Sequence, residues 1–375
     1  MISRYLQLAK RVLLSNVKRL AFPYKLTFAI TYRCNSRCKT CNIWKRRVTN
    51  ELSKEEIKRF SQKSNEFMWI DLTGGEPSLR KDLVDICEAV YRYNEKLVLL
   101  HFPTNGYLTK KIVGDVNAIR GMDSGSKLVI TVSIDGDERL NDEIRGVKGA
   151  WKRQIETFVR LREIEGVTPV FGMTLSPFNF DKFEMTFKSV KQVLPWVTVE
   201  DFHISLMNYS DVFYDNMEQK NLIADPMEKR RVIEGILRST ELYTCWSGTP
   251  KDPRALLENL FLKRAKSYFK TGRTPLPCHA LKSSCFIDPT GEVYPCITFN
   301  RPLGNLRDSD YDLRRIWHSE KAKGLQKKIW DLKCPQCWTG CDGYQTIMGN
   351  LIHLFRNNTS RHGSGAAKTE CGTNE

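Results

Sequence analysis

A chain of 375 residues with 59 Lys and Arg against 43 Asp and Glu, a net charge of +16, is long enough for one large domain plus a smaller one. Its 12 cysteines are too sparse for a disulfide-built secreted scaffold: six crowd into residues 278–341 and three into residues 34–41, the clustering of metal sites in a reducing cytoplasm. No run of about 18 apolar residues reads as a membrane span, and no nucleic-acid module accompanies the positive charge, so no nucleic-acid partner is expected.

The first segment, MISRYLQLAKRVLLSNVKRL, carries Ile2, Tyr5, Leu6, Ala9, Val12, Leu13, Val17 and Leu20 at three- and four-residue steps, with Arg4, Arg11 and Lys18 on the other side. Lys10 and Arg11 interrupt the apolar stretch that a signal peptide needs. Residues 1–24 are predicted as a basic amphipathic helix whose apolar stripe covers the following domain. The alternative is peripheral contact with the inner face of an anionic membrane, which salt would weaken.

From residue 25 strands and helices alternate. KLTFAIT (25–31), MWIDLT (68–73), KLVLLHF (96–102), KLVITVSI (127–134), VTPVFGMTL (167–175) and TVEDFHISL (198–206) read as strands. Helical patterns fill the gaps. One opens at Ser53, where SKEE is a capping box with Glu56 reaching back, and others run through residues 81–94, 151–164 and 181–194. Six such βα units over residues 25–210 imply an α/β fold with a parallel sheet, open or curled into a partial barrel. Ligands lie at the carboxyl ends of strands in such folds. The loop YRCNSRCKTCNIW follows the first strand, TGGEP the second, PTNG the third and SIDGD the fourth, so the four motifs share one mouth.

Cys34, Cys38 and Cys41 stand at C-x3-C-x2-C spacing with no fourth cysteine before Cys87. Three thiolates hold three irons of a [4Fe–4S] cluster and leave the fourth open to a small molecule. A zinc loop, the competing reading, would want a fourth ligand nearby.

This spacing on the loop after the first strand, with GGEP after the second, resembles the radical S-adenosylmethionine (SAM) enzymes. That resemblance implies a partial (β/α)6 TIM-like barrel over residues 25–210, a SAM-binding [4Fe–4S] cluster on Cys34, Cys38 and Cys41, and reductive cleavage of SAM to a 5′-deoxyadenosyl radical that takes hydrogen from a substrate. It further implies a low-potential electron donor such as a flavodoxin or ferredoxin. Gly74 and Gly75 would let backbone carbonyls approach the SAM amino group, with Glu76 and Pro77 fixing that loop. Asn105, Ser133 and Asp135 would meet the ribose, and Arg145 in NDEIRG would meet the SAM carboxylate. Thr40 stands where the family has an aromatic residue near adenine, which leaves Trp44 or an aliphatic side chain for that contact.

Past a bridging segment, 211–275, the character changes. CHALKSSCFIDPTGEVYPC (278–296) has a strand-turn-strand pattern around Pro289 and Gly291, and a loop and amphipathic helix then lead to CPQCWTGC. The C-x12-G-x4-C element of Cys278, Gly291 and Cys296 resembles the SPASM and twitch auxiliary-cluster domains, which implies a small cysteine-rich α+β domain over residues 276–356. The resemblance assigns Cys278, Cys296, Cys334 and Cys337 as ligands of one auxiliary [4Fe–4S] cluster, with Cys341 first in reserve and Cys285 second. Four thiolates would close that cluster and make it an electron conduit; a zinc ribbon on the same thiols is the alternative.

Cys87 reads as core, His203 as a satisfied barrel histidine, and residues 357–375 as a disordered tail. About 24 residues precede the first strand. A leader-binding domain is therefore not expected, which raises carbohydrate and lipid substrates, with a peptide handled without such a domain kept as the third class. The competing function is a non-enzymatic iron–sulfur or zinc-stabilised binding protein, for which neither an open iron nor GGEP would be needed.

Overall fold

The computed structural model describes residues 2–122, 125–249 and 253–351. The tail expected at 357–375, with Cys371, lies outside the described residues. The strands are β1 (Lys25–Thr31), β2 (Trp69–Gly74), β3 (Leu99–Thr104), β4 (Lys127–Ser133), β5 (Val167–Leu175), β6 (Phe202–Leu206), β7 (Ser284–Ile287), β8 (Glu292–Tyr294) and β9 (Gly304–Asn305). The helices are α1 (Ile2–Val17), α2 (Lys54–Lys63), α3 (Leu83–Tyr93), α4 (Thr109–Met122), α5 (Glu138–Arg145), α6 (Ala150–Arg162), α7 (Phe183–Val193), α8 (Pro226–Trp246), α9 (Pro253–Thr271), α10 (Leu313–Trp317), α11 (Glu320–Trp330) and α12 (Gly340–Met348).

Strands β1 to β6 pair in parallel in chain order, as a partial barrel requires. Along each of them the side chains alternate between two environments. Leu26, Phe28, Ile70, Leu72, Leu100 and Phe102 point outward into one apolar core with Ile57, Phe60, Ile86 and Ile112 of the covering helices. Each such buried side chain contributes about 1.5–3 kcal/mol. The intervening residues, among them Lys25, Asp71, His101, Thr131, His203 and Ser205, are polar and line the inner face. Helix α2 starts where its sequence says: Ser53 accepts from Glu56 N, and Glu56 returns to Ser53 N (2.9 Å). Strand β6 begins only at Phe202, because Thr198 and Asp201 cap each other around a tight turn at Val199–Asp201.

The C-terminal strands do not form a separate sheet. Among the described residues one nine-stranded sheet runs β6-β5-β4-β3-β2-β1-β7-β8-β9. Strand β7 pairs in parallel with β1, from Lys25↔Ser284 to Phe28↔Ile287, and β8 and β9 follow antiparallel. An uncovered β1 would leave a row of unpaired backbone groups at the edge of the barrel. Helices α8 and α9, between β6 and β7, pack on one another, and α9 also contacts β6 and α12.

Helix α1 reverses its expected orientation. Arg4 donates to the Leu97 carbonyl (3.2 Å), and Arg11 donates to the Phe22 carbonyl (2.8 Å) and pairs with Glu66 (3.4 Å), so the basic side faces the domain. Val12 and Leu8 pack with Leu20, Tyr24, Met68 and Val98. The rest of the apolar stripe faces out: Ile2 is 79% exposed, Leu6 65%, Leu13 56% and Val17 75%. The stripe is wider than the barrel can cover, and the arginines take the inner position because carbonyls at the strand starts offer them acceptors.

Candidate active site

The three-cysteine loop leaves β1 at the carboxyl end of the sheet and is clamped on both sides. Gly75 N bonds to the Thr31 carbonyl (2.8 Å) and Glu76 N to that of Arg33 (2.8 Å). Arg37 N and Lys39 N bond to the carbonyls of Arg145 (3.0 Å) and Ile144 (2.8 Å) at the end of α5. A Cβ on Gly74, whose φ is +136°, would lie 2.0 Å from the Thr31 oxygen, and one on Gly75 would lie 2.2 Å from that of Arg33. These two glycines let β2 lie against the cysteine loop. Ser36 N donates to Cys34 Sγ (3.4 Å), Ser36 Oγ lies 3.2 Å from Cys38 Sγ, and Arg145 Nη1 lies 3.7 Å from it. Burial, helped by neighbouring thiols, pushes Cys34 and Cys41 up to about 12. Thiolates here therefore need a bound cation to stay charged.

Glu76 is buried and ties two motif loops together. It accepts from Ser78 N (3.1 Å), Thr104 Oγ1 (2.9 Å) and Asn105 N (2.6 Å), while Pro77 opens a short turn, Pro77–Leu79, beneath it. Asn105 donates from Nδ2 to Asn35 Oδ1 (2.6 Å) and accepts from Tyr107 N (3.2 Å), which spends its amide on the cysteine loop. Asp135 pairs with Arg145 (2.7 Å) and accepts from Thr174 N (2.9 Å). Ser133 stands half-buried at the end of β4. Arg145 Nε is buried without a hydrogen-bond partner, while Nη1 of the same guanidinium reaches Cys38 Sγ. Trp44 donates to the Cys41 carbonyl (3.1 Å), with Arg37 and Lys45 over its ring at 5.9 and 5.4 Å.

A second set of thiols gathers beside β7. Burial raises Cys278, Cys296, Cys334 and Cys337. Beyond burial, Cys337 feels Cys296 and Cys278, Cys296 feels Cys278, and Cys278 feels Cys334. The Thr298 hydroxyl joins two of them, 3.3 Å from Cys296 Sγ and 3.6 Å from Cys337 Sγ. Ala280 N donates to Cys278 (3.5 Å) and Gln336 Nε2 to Cys334 (3.1 Å). The reserve cysteines stand apart. Cys341 lies with Cys34, Cys41 and Tyr214 in an apolar layer and, besides its burial, feels Lys25, Asp71 and Asp342. Cys285 is buried on β7 in the main core, opposite Leu26. Cys341, in the first turn of α12, thus keeps its place in reserve behind Cys278, Cys296, Cys334 and Cys337. Among the described residues no three His, Cys, Asp or Glu side chains are drawn in around one point, as a zinc ion with sulfurs at about 2.3 Å would require.

Both cysteine-rich regions fall within family models. Residues 28–190 match the model of the radical SAM superfamily, and residues 278–341 match that of the SPASM iron–sulfur cluster-binding domain. The chain carries a radical SAM domain followed by a SPASM domain. It is similar to an AdoMet-dependent heme synthase of Oleidesulfovibrio alaskensis, 26% identical over 83% of this chain and 79% of that protein. It is also similar to the mycofactocin maturase MftC of Mycolicibacterium smegmatis, 23% identical over 84% and 75%. The structure of anSMEcpe with bound AdoMet and Kp18Cys peptide superposes with a TM-score of 0.57 at 14% identity, over 90% of this chain and 99% of that one, and shares the fold. The protein is an enzyme, and radical SAM enzymes with SPASM domains bind a [4Fe–4S] cluster, SAM and auxiliary iron–sulfur centres. The residues present fit these groups. Three thiols on one loop would hold three irons and leave the fourth open, and the partnerless Arg145 Nε suits an anionic group beside it.

The radical SAM barrel holds two polar networks that sequence reasoning missed. On one side Lys25, which has no exposed surface, pairs with Asp71 (3.0 Å). Asp71 in turn meets His101 Nδ1 (3.1 Å), whose Nε2 lies 2.9 Å from Thr131 Oγ1. On the other, His203 Nδ1 meets Glu258 of α9 (2.8 Å) and the Tyr344 hydroxyl of α12 (2.9 Å), and Nε2 meets Ser205 Oγ (3.0 Å). His203 is a satisfied barrel histidine, as expected. The available signal was the run of polar residues at alternate positions in five of the strands.

Proposed function

We propose that the protein is an oxidising radical SAM enzyme: Cys34, Cys38 and Cys41 hold the cluster that binds SAM, and Cys278, Cys296, Cys334 and Cys337 hold a closed auxiliary cluster that accepts an electron from the substrate. The observation that carries this reading is a buried group of thiols in which Cys296 and Cys337 flank Thr298 and Cys278 neighbours Cys296, Cys337 and Cys334. Residues 25–210 then form the catalytic core, 211–275 the bridge and 276–356 the auxiliary domain. When bound, the first cluster and SAM supply one-electron cleavage to a 5′-deoxyadenosyl radical, with the electron drawn from a flavodoxin- or ferredoxin-type donor. Gly74 and Gly75 let the second strand approach the cysteine loop, Glu76 holds the GGEP and PTNG loops together, and Arg145 offers its free Nε to the SAM carboxylate.

A peptide is the substrate class we favour. The anSMEcpe structure that this chain covers almost end to end holds a peptide together with AdoMet, which supports a peptide for a chain of this plan. That weighs against the preference for carbohydrate or lipid that the N-terminal length suggested.

Anaerobic reconstitution should give about eight irons per chain. Changing Cys34, Cys38 and Cys41 together to Ala should leave about four irons and no 5′-deoxyadenosine. Cys337→Ala should also leave about four irons yet still cleave SAM, whereas Cys341→Ala should keep all eight. Zinc without iron in the triple variant would defeat the auxiliary-cluster assignment.

A further inference from the structure

The base of the barrel carries an apolar surface that nothing in the reaction uses. Six side chains of α1 turn outward: Ile2, Tyr5, Leu6, Leu13, Leu14 and Val17, from 37% to 79% exposed. The helix has no acidic residue to oppose Arg4, Lys10 and Arg11. Since Arg4 and Arg11 are spent on the domain, Lys10 and the following Lys18 are left at the rim of the stripe. The patch does not stop at the helix. Lys282 donates to the Asn16 carbonyl (3.4 Å) and lies 5.3 Å over the Trp330 ring. That places Trp330, 54% exposed at the end of α11, beside the end of α1, with Leu332, 41% exposed, two residues further along the chain. Lys323 and Lys327, seven and three residues before Trp330, share its side of α11 and are exposed; Lys323 pairs with Glu320 (2.7 Å) and Asp331 is exposed beside Trp330, but with Lys321 and Lys328 the helix keeps an excess of lysines.

We propose that this base docks on an anionic lipid surface, with the α1 stripe and Trp330 seated among the headgroups and Lys10, Lys18, Lys323 and Lys327 facing their charges. An exposed apolar stripe with lysines at its edge and a tryptophan at its end is the pattern of a helix lying in a membrane interface. Charge selects the occupant. A second copy would bring a net +16 and its own lysines against this one, whereas an anionic bilayer is complementary to both helices. Helix α1 sits at the strand starts, by Tyr24, Met68 and Val98, and the cysteine loop leaves the other end of β1, on the order of 20 Å away. Docking by the base therefore leaves the mouth open to substrate and electron donor, and the inference stands apart from the reading of the chemistry.

The test is sedimentation of the full-length apo chain with vesicles of phosphatidylcholine carrying about one third phosphatidylglycerol, a fraction chosen to supply the negative surface that lysines recognise. The chain should pellet with them at low salt and be released at high salt, and should not pellet with phosphatidylcholine alone. Leu6→Glu with Leu13→Glu should lower partitioning at least about tenfold without moving the unfolding midpoint, because both side chains are already in water. Lys10→Gln and Lys327→Gln should each lower it about fivefold. The proposal is overturned by any of four results: no pelleting with anionic vesicles at low salt, equal binding to neutral vesicles, unchanged binding of the Leu6→Glu/Leu13→Glu variant, or binding that emerges only when residues 352–375 are removed. A concentration-dependent dimer that this variant dissociates would likewise assign the face to a second copy.

Discussion

Lys25→Met is the most informative single change, because its ammonium serves the barrel and the C-terminal domain together. It has no exposed surface and lies 3.0 Å from Asp71 Oδ2, 3.1 Å from Gln345 Oε1 and 4.5 Å from the Trp69 ring centroid, and it also donates to the Cys341 carbonyl. Removing one partner of a buried ion pair strands the other and costs about 3–5 kcal/mol, out of a total on the order of 5–15 kcal/mol. Burial disfavours the Asp71 carboxylate, but Lys25, His101 and Trp69 outweigh it and hold the group below the usual carboxylate range. A depressed carboxyl contributes stability that is present above its unfolded value, about 3.9, and is lost as pH falls toward the folded value. In Lys25→Met burial meets less opposition, so the folded Asp71 value rises toward the unfolded one and the stability lost in acid shrinks. Urea unfolding of the apo chain by tryptophan fluorescence, run from neutral pH down to about 2, below the unfolded carboxyl value, reads both effects. The double variant Lys25→Met/Asp71→Leu should regain much of the loss, since an apolar pair replaces an orphaned charge. An unfolding midpoint for Lys25→Met equal to that of the native chain, or a double variant no better than the single one, would refute the account.

Gly75→Ala would put a Cβ 2.2 Å from the Arg33 oxygen, which forces the cysteine loop away by on the order of 1 Å; 5′-deoxyadenosine formation should fall about a hundredfold, while Gly114→Ala on α4, with open space around it, changes nothing. Arg145→Gln removes the free Nε and the pair to Asp135 (2.7 Å); SAM affinity of the reconstituted protein, read by equilibrium dialysis, should drop at least about thirtyfold, and an unchanged affinity would take Arg145 out of the SAM site.

The cysteine loop was legible because three thiols at fixed spacing need no tertiary information to announce their chemistry, and the strands because their outward positions repeat every second residue. What the sequence withheld were relations across long separations. That β7 is the neighbour of β1 depends on which edge the barrel leaves open, and nothing in KLTFAIT or SSCFID records it. Helix α1 has apolar residues around most of its circumference, so periodicity identifies an apolar stripe but not the side that docks; acceptors at Leu97 and Phe22, brought near only by folding, settle it. Asn105 and Asp135 could be placed at strand ends from their turn-forming context, but their partners, Asn35 and Arg145, belong to other loops. Glu258 lay in a helix without a readable motif, and its meaning comes only from His203 across the barrel wall.

These cross-links bear on how an auxiliary cluster could serve the barrel. An electron acceptor is useful only if its position relative to the reacting carbon is fixed, and the three strand pairs of β9, β8 and β7 alone would give the C-terminal thiols a single hinge on β1. Two further attachments remove that freedom. Lys25 bonds to the Cys341 carbonyl and Gln345 on α12, and His203 bonds to Tyr344 on the same helix, through opposite walls of the barrel. Cys337 lies three residues before the start of α12 and is held to Cys296 by Thr298. The polar residues of the barrel interior therefore do two things at once: they make its lumen hydrophilic, and they lock α12, and with it the second set of thiols, onto strands that also carry the first.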